Sequence, residues 1–558
     1  MLQYSLLPLS LLLTLLDALC PVHAIRIPVE VRSTFSPRTS LPGHIGRRAV
    51  TTIPVSNTHN AQYITNMTIG GQQVRVMIDT GSSDLWVNFP TTVPQTQDLG
   101  KGVTLNYAVG AASGNINTAA VTFDEYSVDN QAFLLVKDTS TFSGDIHAQG
   151  YDGLVGFGPN DASVIKKKLK GDQGDTLLTN IFQLNRTTAN YISILLDRKG
   201  DPADPFTGQM TISELVPGFE NVTSMPKMDV EKVHRLLKSD QHWQVLTDKD
   251  NGIIGPDGQI IKTKSIVPQA PSGQLVAVVD SGFTFTQVPR DVADAIYGRV
   301  QGAVYDTKNE LWNIPCGQYL NVTFNLGGVS YPVHPLDTVN DDFGAKDRNG
   351  NRICIGAFQP ITSAFSMLGN YDMILGMSFL RNAYSLLDYG NWVDKSSKDR
   401  DDPYIQMLPL TTYNDGKTDF VKIRLSGNDS TSDSQWALLP PDQIQRSPVS
   451  AEEKKKKYQE MILSRWPYIL VGCLVAVFLI AGCCIWHCCC RRKGGKSGGG
   501  GGAGLFKRKK AKAAPNTPYL PLQEHGAFGS TQQIRPTGAY SGVGAAYGSG
   551  GQGYAGGR

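Results

Sequence analysis

Val76-Met77-Ile78-Asp79-Thr80-Gly81-Ser82-Ser83 and, 201 residues after Asp79, Val276-Ala277-Val278-Val279-Asp280-Ser281-Gly282 decide how this chain folds. Each stretch is a short apolar run, which reads as a buried strand, ended by a carboxylate, a hydroxyl and a glycine. That order delivers an acidic group at a strand end onto a tight loop whose backbone glycine permits. One such tripeptide arises by chance in many long chains. Two of them, with the same apolar approach and a domain-sized separation, are the pattern of a duplicated lobe, with a cleft between the copies. Two carboxylates brought together there cannot both ionise, so like-charge repulsion leaves one proton shared between them. The pair is then an acid and a base at once, which amide hydrolysis needs when no metal or nucleophilic side chain takes part. It titrates as a unit.

Outward from the two loops, the duplication continues. Asp152-Gly153-Leu154-Val155-Gly156 and Ile374-Leu375-Gly376, followed by Phe379-Leu380-Arg381, repeat an apolar-apolar-glycine element once per half. Between Ile53 and about Leu425, β-branched and aromatic runs are broken by Gly, Asn, Asp and Pro at short intervals, an all-β texture. The clearest helical spacing is Val292, Ala295, Ile296 and Val300, behind a proline. On these elements, from about Tyr63 to Tyr389, the chain resembles the pepsin-like aspartic proteases.

That resemblance implies a bilobal all-β fold with pseudo-twofold lobes, residues 49–222 and 223–425, and an aspartic-type endopeptidase in which Asp79 and Asp280 are catalytic. Thr80 and Ser281 would cross-brace the loops, Ser82 would bond the outer oxygen of Asp79, and Gly81 and Gly282 would complete the loops. A β-hairpin flap carrying a tyrosine would close the cleft; Tyr107 is the candidate, only 28 residues after Asp79, so the loop before it is trimmed. One departure concerns Phe283, where most relatives place Thr or Ser. Asp280 then lacks one expected charge-assisted hydrogen bond, a loss of about 1.5 to 3 kcal/mol that tunes the pair more readily than it abolishes catalysis, unless Thr284 substitutes as the donor.

The ends of the chain carry other signals. Residues 1–24 read as a secretory signal peptide, with a leucine-rich core and Val22-His23-Ala24 before the cut. Residues 25–48, polar and closing on Arg47-Arg48, are compatible with a short propeptide cut at the dibasic pair. Residues 426–465 read as a polar, then charged, stalk, and 466–487 as a transmembrane helix. Its uncharged run Tyr468–Trp486, about 19 residues at about 1.5 Å each, matches a bilayer's hydrocarbon core. The signal peptide orients it as a type I single-pass protein of the secretory pathway or cell surface, with the lobes lumenal or extracellular. Residues 488–558 read as a disordered, Gly-rich cytoplasmic tail. From Arg491 onward the balance is +10, against +3 for the whole chain; that tail either attracts anionic lipids or is simply solvated, and does not imply nucleic acid.

Of nine cysteines, Cys316 and Cys354 are the pair left in the exported region, and an even pair in an oxidising compartment predicts one disulfide; the family resemblance implies the same bond. Six others lie in or beside the apolar run, where S-acylation is a plausible fate. Asn66, Asn185, Asn221, Asn321 and Asn428 head glycosylation sequons. The nine histidines form no His-Glu-x-x-His and the exported region has no Cys-x-x-Cys, so neither a metal nor a cofactor is expected. Gly495-Lys496-Ser497 lacks the rest of a phosphate loop. The expected partners are protein or peptide substrates and membrane lipid, around a monomer. The competing functions are a pepsin-fold surface-binding protein without turnover, and an anchor in which the cleft is incidental; retention of both aspartates with hydroxyl neighbours favours the peptidase.

Overall fold

The computed structural model describes residues 25–31 and 62–490, apart from 108–109, 143, 187–188, 199–206, 234–239, 342–343, 347–349, 351, 362–369, 394–400 and 450. The signal peptide, the Arg47-Arg48 site and the tail beyond Cys490 lie outside the described residues. Internal contacts divide the chain into one unit through Glu453 and a second that begins at Lys454.

Within the first unit, two halves repeat one strand plan. The strand Gln72–Asp79 lies parallel to Gly153–Gly156, with Asp79 opposite Gly156. Its counterpart Val276–Val279 lies parallel to Met373–Leu375, with Val279 opposite Leu375. Leu85–Val87 returns antiparallel to Gly153–Gly156 and parallel to the strand Tyr126–Asp138. Thr286–Val288 does the same against Met373–Leu375 and Phe358–Pro360. The copies extend to the side chains that start each threading strand. Asp152 accepts the Arg75 N–H at 2.9 Å, and Asp372 accepts the Val276 N–H at 2.7 Å. Val276–Val279, Met373–Leu375, Gly153–Gly156 and Leu85–Val87 are buried at every position, so they read as continuous apolar runs, whereas Gln72–Asp79 alternates until its last two residues.

A 13-stranded sheet carries the first half and continues through Thr207–Ile212 and Tyr191–Leu195 into Ala383–Asp388 and Tyr404–Pro409 of the second. The join is the antiparallel pairing of Leu386 with Ser193 and Leu387 with Ile192. Ile25–Val31 also enters this sheet, between Thr207–Ile212 and the start of Tyr63–Ile69, so the first residues after the expected signal peptide form a strand. The second half adds sheets of five, three and four strands. Among its helices is Arg290–Tyr297, where Val292, Ala293, Ile296 and Tyr297 are buried. One apolar core runs through both halves, from Tyr63 and Trp243 to Phe324 and Met407.

Cys316 and Cys354 form a disulfide across 38 residues of sequence. Loop closure of that order is worth about 2–4 kcal/mol. The Cys316→Ala/Cys354→Ala variant is therefore expected to unfold at lower urea concentration by a corresponding amount, with an unchanged midpoint counting against a stabilising role.

The stretch expected to be a free stalk differs from that expectation. Helix Tyr413–Arg424 places Arg424 against Val339 O and Asp341. The chain then returns along Arg290–Tyr297 and the loop after it. Leu439 N–H bonds Arg299 O at 2.7 Å, Gln445 N–H bonds Gly298 O at 2.8 Å, and Ser447 donates N–H and O–H to the buried Asp294 carboxylate. Trp436 packs on Gly317, where a methyl group would lie 2.6 Å from its ring. Docking therefore continues well past residue 425, as far as Ser447. The reason is polar satisfaction: backbone groups at the end of that helix find partners in a segment whose composition alone looks like linker.

The second unit is described from Lys454 to Cys490, all of it within the unbroken helix Ala451–Cys490. Its described side chains from Tyr468 to Cys484 are all exposed. Among the described residues, no helix is long and apolar enough to cross a membrane.

Candidate active site

Asp79 is the last residue of its strand and Asp280 follows directly on Val279, so each carboxylate emerges where its strand ends. The loops after them are locked to each other. Thr80 N–H donates to Ser281 Oγ at 3.1 Å and Ser281 N–H donates to Thr80 Oγ1 at 2.9 Å. Each hydroxyl then donates to a carbonyl of the opposite half, Thr80 to Val279 O at 2.9 Å and Ser281 to Ile78 O at 3.2 Å. Both side chains are fully buried, at 1% and 0% exposure. Four bonds with no water to compete for them hold the two strand ends in one register.

The glycines show how close the carboxylates come. A methyl group at Gly81 would lie 2.0 Å from Asp280 Oδ2, and one at Gly282 would lie 2.4 Å from Asp79 Oδ1. Each glycine is the surface on which the other half's aspartate rests, so any larger residue displaces a carboxylate. Gly156 and Gly376, in the threading strands, make the same allowance for the loop backbones above them, with Ser82 O and Phe283 O each 2.6 Å from an added methyl.

Each aspartate accepts from the glycine two residues on in its own loop. Asp79 Oδ1 accepts the Gly81 N–H at 2.9 Å, and its Oδ2 accepts the Ser82 hydroxyl. Asp280 Oδ1 accepts the Gly282 N–H at 2.7 Å, the Gly81 N–H reaches it across the halves, and phenylalanine at 283 adds no hydroxyl. Burial pushes the Asp280 carboxyl well above the usual carboxylate range, the Asp79 charge pushes it further, and the two N–H bonds offset only part of this. The pair therefore holds a proton at pH values where an exposed carboxyl has lost its own.

Tyr107 ends the strand Gln97–Tyr107 and pairs with Gly110 of the returning strand, at the tip of the hairpin. Its ring leans on Trp86 and Phe142, with centroids 6.3 and 6.5 Å away. Burial first, then the Asp84 and Asp79 charges, raise its phenol well above its ordinary value. It remains a proton donor, next to Ser82, throughout the acid and neutral range.

Several groups around the site carry no motif. Asp84 accepts the Ser163 hydroxyl and the N–H groups of Val164 and Ile165, tying the first loop to helix Val164–Leu169. Trp243 Nε1–H and the Tyr389 hydroxyl both donate to Phe157 O, at 2.9 and 2.6 Å, joining the halves behind the loops. Arg198, Asp337, Arg381 and Asn382 form a buried charged cluster. Phe379-Leu380-Arg381 was conspicuous in the sequence, but nothing there pointed to Arg198 or Asp337. His242 Nδ1 lies 3.0 Å from Gly81 O. Among the described residues no group of three or more His, Cys, Asp or Glu is arranged to hold a metal. Of the sequon asparagines, Asn185, Asn221 and Asn428 are exposed and Asn66 and Asn321 half-buried.

Residues 62–393 match the family model for eukaryotic aspartyl protease. A probable aspartic-type endopeptidase of Arthroderma benhamiae is 23% identical over 362 residues, covering 61% of this chain and 62% of that one. Another from Aspergillus fumigatus is 26% identical over 380 residues, covering 60% of this chain and 78% of its own length. Embryonic pepsinogen of Gallus gallus is 24% identical over 364 residues, with 61% and 82% covered. The chain thus spans less than two thirds of the Arthroderma relative. A crystal structure of aspartic proteinase from Irpex lacteus aligns with TM-score 0.49 at 17% identity, covering 70% of this chain and 100% of that one.

Proposed function

Because the chain belongs to the eukaryotic aspartyl protease family, we propose that it is an aspartic-type endopeptidase that cleaves protein or peptide substrates with a water activated by Asp79 and Asp280. The observation that carries this reading is the mutual approach of the two carboxylates over Gly81 and Gly282, within one cross-braced frame.

The steps balance within the pair. One carboxylate removes a proton from water as its oxygen attacks the scissile carbonyl carbon. The protonated partner gives its proton to the carbonyl oxygen, leaving a neutral diol. Return of one diol proton to a carboxylate and delivery of a proton to the amide nitrogen break the C–N bond, and the pair ends with the single proton it began with. Fixed N–H and O–H donors stabilise the carboxylate charge without reorganising, which is where preorganised sites gain most. In this reading Tyr107, an undissociated phenol at the hairpin tip, covers the bound peptide.

The same proposal includes a membrane anchor at Tyr468–Trp486, a type I orientation, glycans on the exposed sequons and a monomeric state. Support for the anchor is the sequence alone, the uncharged apolar run Tyr468–Trp486, whose length matches a bilayer's hydrocarbon core. Recovered from membranes in detergent, the full chain is expected to cleave a denatured protein faster at pH 3–5 than at pH 7. Folded protein without cleavage at any of these values would sink the peptidase reading, and a chain that washes off membranes in alkaline carbonate would sink the anchor.

A further inference from the structure

His242 is a titratable side chain beside the aspartates that the steps above do not use. Its Nδ1 lies 3.0 Å from the carbonyl oxygen of Gly81. A carbonyl only accepts, so Nδ1 carries the proton and, in the neutral ring, Nε2 keeps a lone pair. Gly81 is the residue on which both aspartates depend: its N–H bonds Asp79 Oδ1 and reaches Asp280. The carbonyl that His242 grips belongs to the next peptide, which leads to Ser82, whose hydroxyl bonds Asp79 Oδ2. His242 therefore holds the peptide lying between the two donors to Asp79.

It does so from the other half of the molecule. His242 immediately precedes buried Trp243, whose indole is fixed on Phe157 O, and strand Gln244–Leu246, which pairs with the second aspartate strand through Gln244 and Val278. The ring meets Tyr371 edge-on at 6.0 Å, and Tyr371 is next to the Asp372 that anchors Val276. A ring so fixed to the Asp280 strand links that strand to the Asp79 loop, independently of the Thr80–Ser281 brace.

We propose that His242 is a positioning residue for Asp79: through Gly81 it aligns the N–H and O–H donors to that carboxylate and couples the imidazole's charge to the pair. This deepens the peptidase reading and rests on it. The groups facing the ring are Asp79 across the halves, Asp240 on its own segment and Tyr371 from the neighbouring loop; Asp280 acts on Tyr371, and Lys167 on Asp240. Burial lowers the imidazole's proton affinity, and the Gly81 bond and the Asp240 and Asp79 charges offset part of that. The ring thus stays neutral below the ordinary imidazole range, and its protonation at lower pH puts a cation beside the pair, which favours the ionised carboxylate and carries activity to lower pH than the pair alone would.

Three variants of the full chain test this. Asn at 242 places its amide N–H near the Nδ1 position, Gln carries its amide farther out, and Phe keeps ring size without a donor. His242→Phe and His242→Gln are expected to lower kcat about tenfold, the upper range for one neutral hydrogen bond. KM should stay within about twofold, with the acid limb of the pH profile moved to higher pH. His242→Asn is expected to recover most of kcat but to keep the acid limb at the raised pH. Wild-type kcat and profile in the Phe variant, or an Asn variant as slow as Gln at equal thermal stability, would overturn the proposal. Should Phe fail to fold, the Asn and Gln variants carry the same contrast. A readout without turnover separates this from failure of the peptidase reading. In 15N-histidine spectra of the full chain, the signal lost in His242→Asn should be the Nδ1-protonated neutral form, titrating lower still in Asp79→Asn. An Nε2-protonated ring, or no response to Asp79→Asn, would refute it whether or not the wild type cleaves.

Discussion

Asp280→Asn is expected to lower kcat by roughly 10²- to 10⁴-fold, the range for loss of a positioned acid–base group, and Asp79→Asn by a similar factor. The double variant should be little worse than either, because groups that act as a unit are not additive. The amide is nearly isosteric and keeps the approach over Gly81, so geometry survives while the shared proton does not. The pH dependence has a definite sign. The Asp280 carboxyl is raised by burial and by the Asp79 charge, so the proposed activity is expected at acid pH and should fall as pH rises through that raised value. Folding stability follows the same linkage. A carboxyl whose folded value is raised binds its proton more tightly in the native state, so stability declines from the unfolded-state value upward. Asp280→Asn removes that cost and should be at least as stable as the wild type at pH 7. Kinetics and urea denaturation on the same samples check both halves: cleavage within tenfold of wild type would remove Asp280 from the mechanism.

The second large effect lies in the interior. Asp337 is fully buried between Arg198, whose Nε–H donates to Oδ2 at 2.7 Å, and Arg381, whose Nε–H donates to Oδ1 at 2.7 Å. Asn382 donates to Oδ2 as well and accepts from Arg198. Arg198 follows strand Tyr191–Leu195, and Arg381 and Asn382 precede its partner Ala383–Asp388, so the cluster pins the joint of the large sheet. Asp337→Ala leaves two buried guanidinium groups without their carboxylate and should cost about 3–5 kcal/mol. Burial alone would raise the Asp337 carboxyl, but the Arg198 and Arg381 charges outweigh it and hold it down to about 2. With a depressed folded value, its contribution is present above the unfolded value and lost only as pH falls through about 2. Wild type and variant should therefore differ by a constant amount in urea from neutral pH to about pH 4 and converge toward pH 2, a range that spans the proposed working acidity. A loss below about 1 kcal/mol at pH 7 would mean the cluster is not a brace.

Asp79 and Asp280 were legible because each ends an apolar run and is followed by a hydroxyl and a glycine, all in local sequence. The repeat of that signal also carried the threading elements at Gly153 and Ile374 and the two-half plan, since a buried strand leaves its pattern in a few consecutive residues. Helix Arg290–Tyr297 was legible by its spacing, and the Cys316–Cys354 bond by elimination of other partners. What composition misjudged is the segment to Ser447: polar and proline-bearing residues look like linker, yet their backbone groups are bonded to Arg299 and Gly298, and Ser447 to Asp294, about 150 residues earlier.

The chemistry of the pair was thus fixed by neighbours in the chain, while its tuning was decided by residues far apart. Why glycine stands at 81 and 282 is visible only when the opposite aspartate is seen within 2.4 Å of the added methyl. That His242 reaches Gly81, that Asp84 holds the helix at Ser163, and that Arg198 meets Asp337 depend on tertiary pairings with no periodicity to announce them. Local patterns record what a residue does to its own strand or turn; which charges share a buried space is settled only when the halves close on each other.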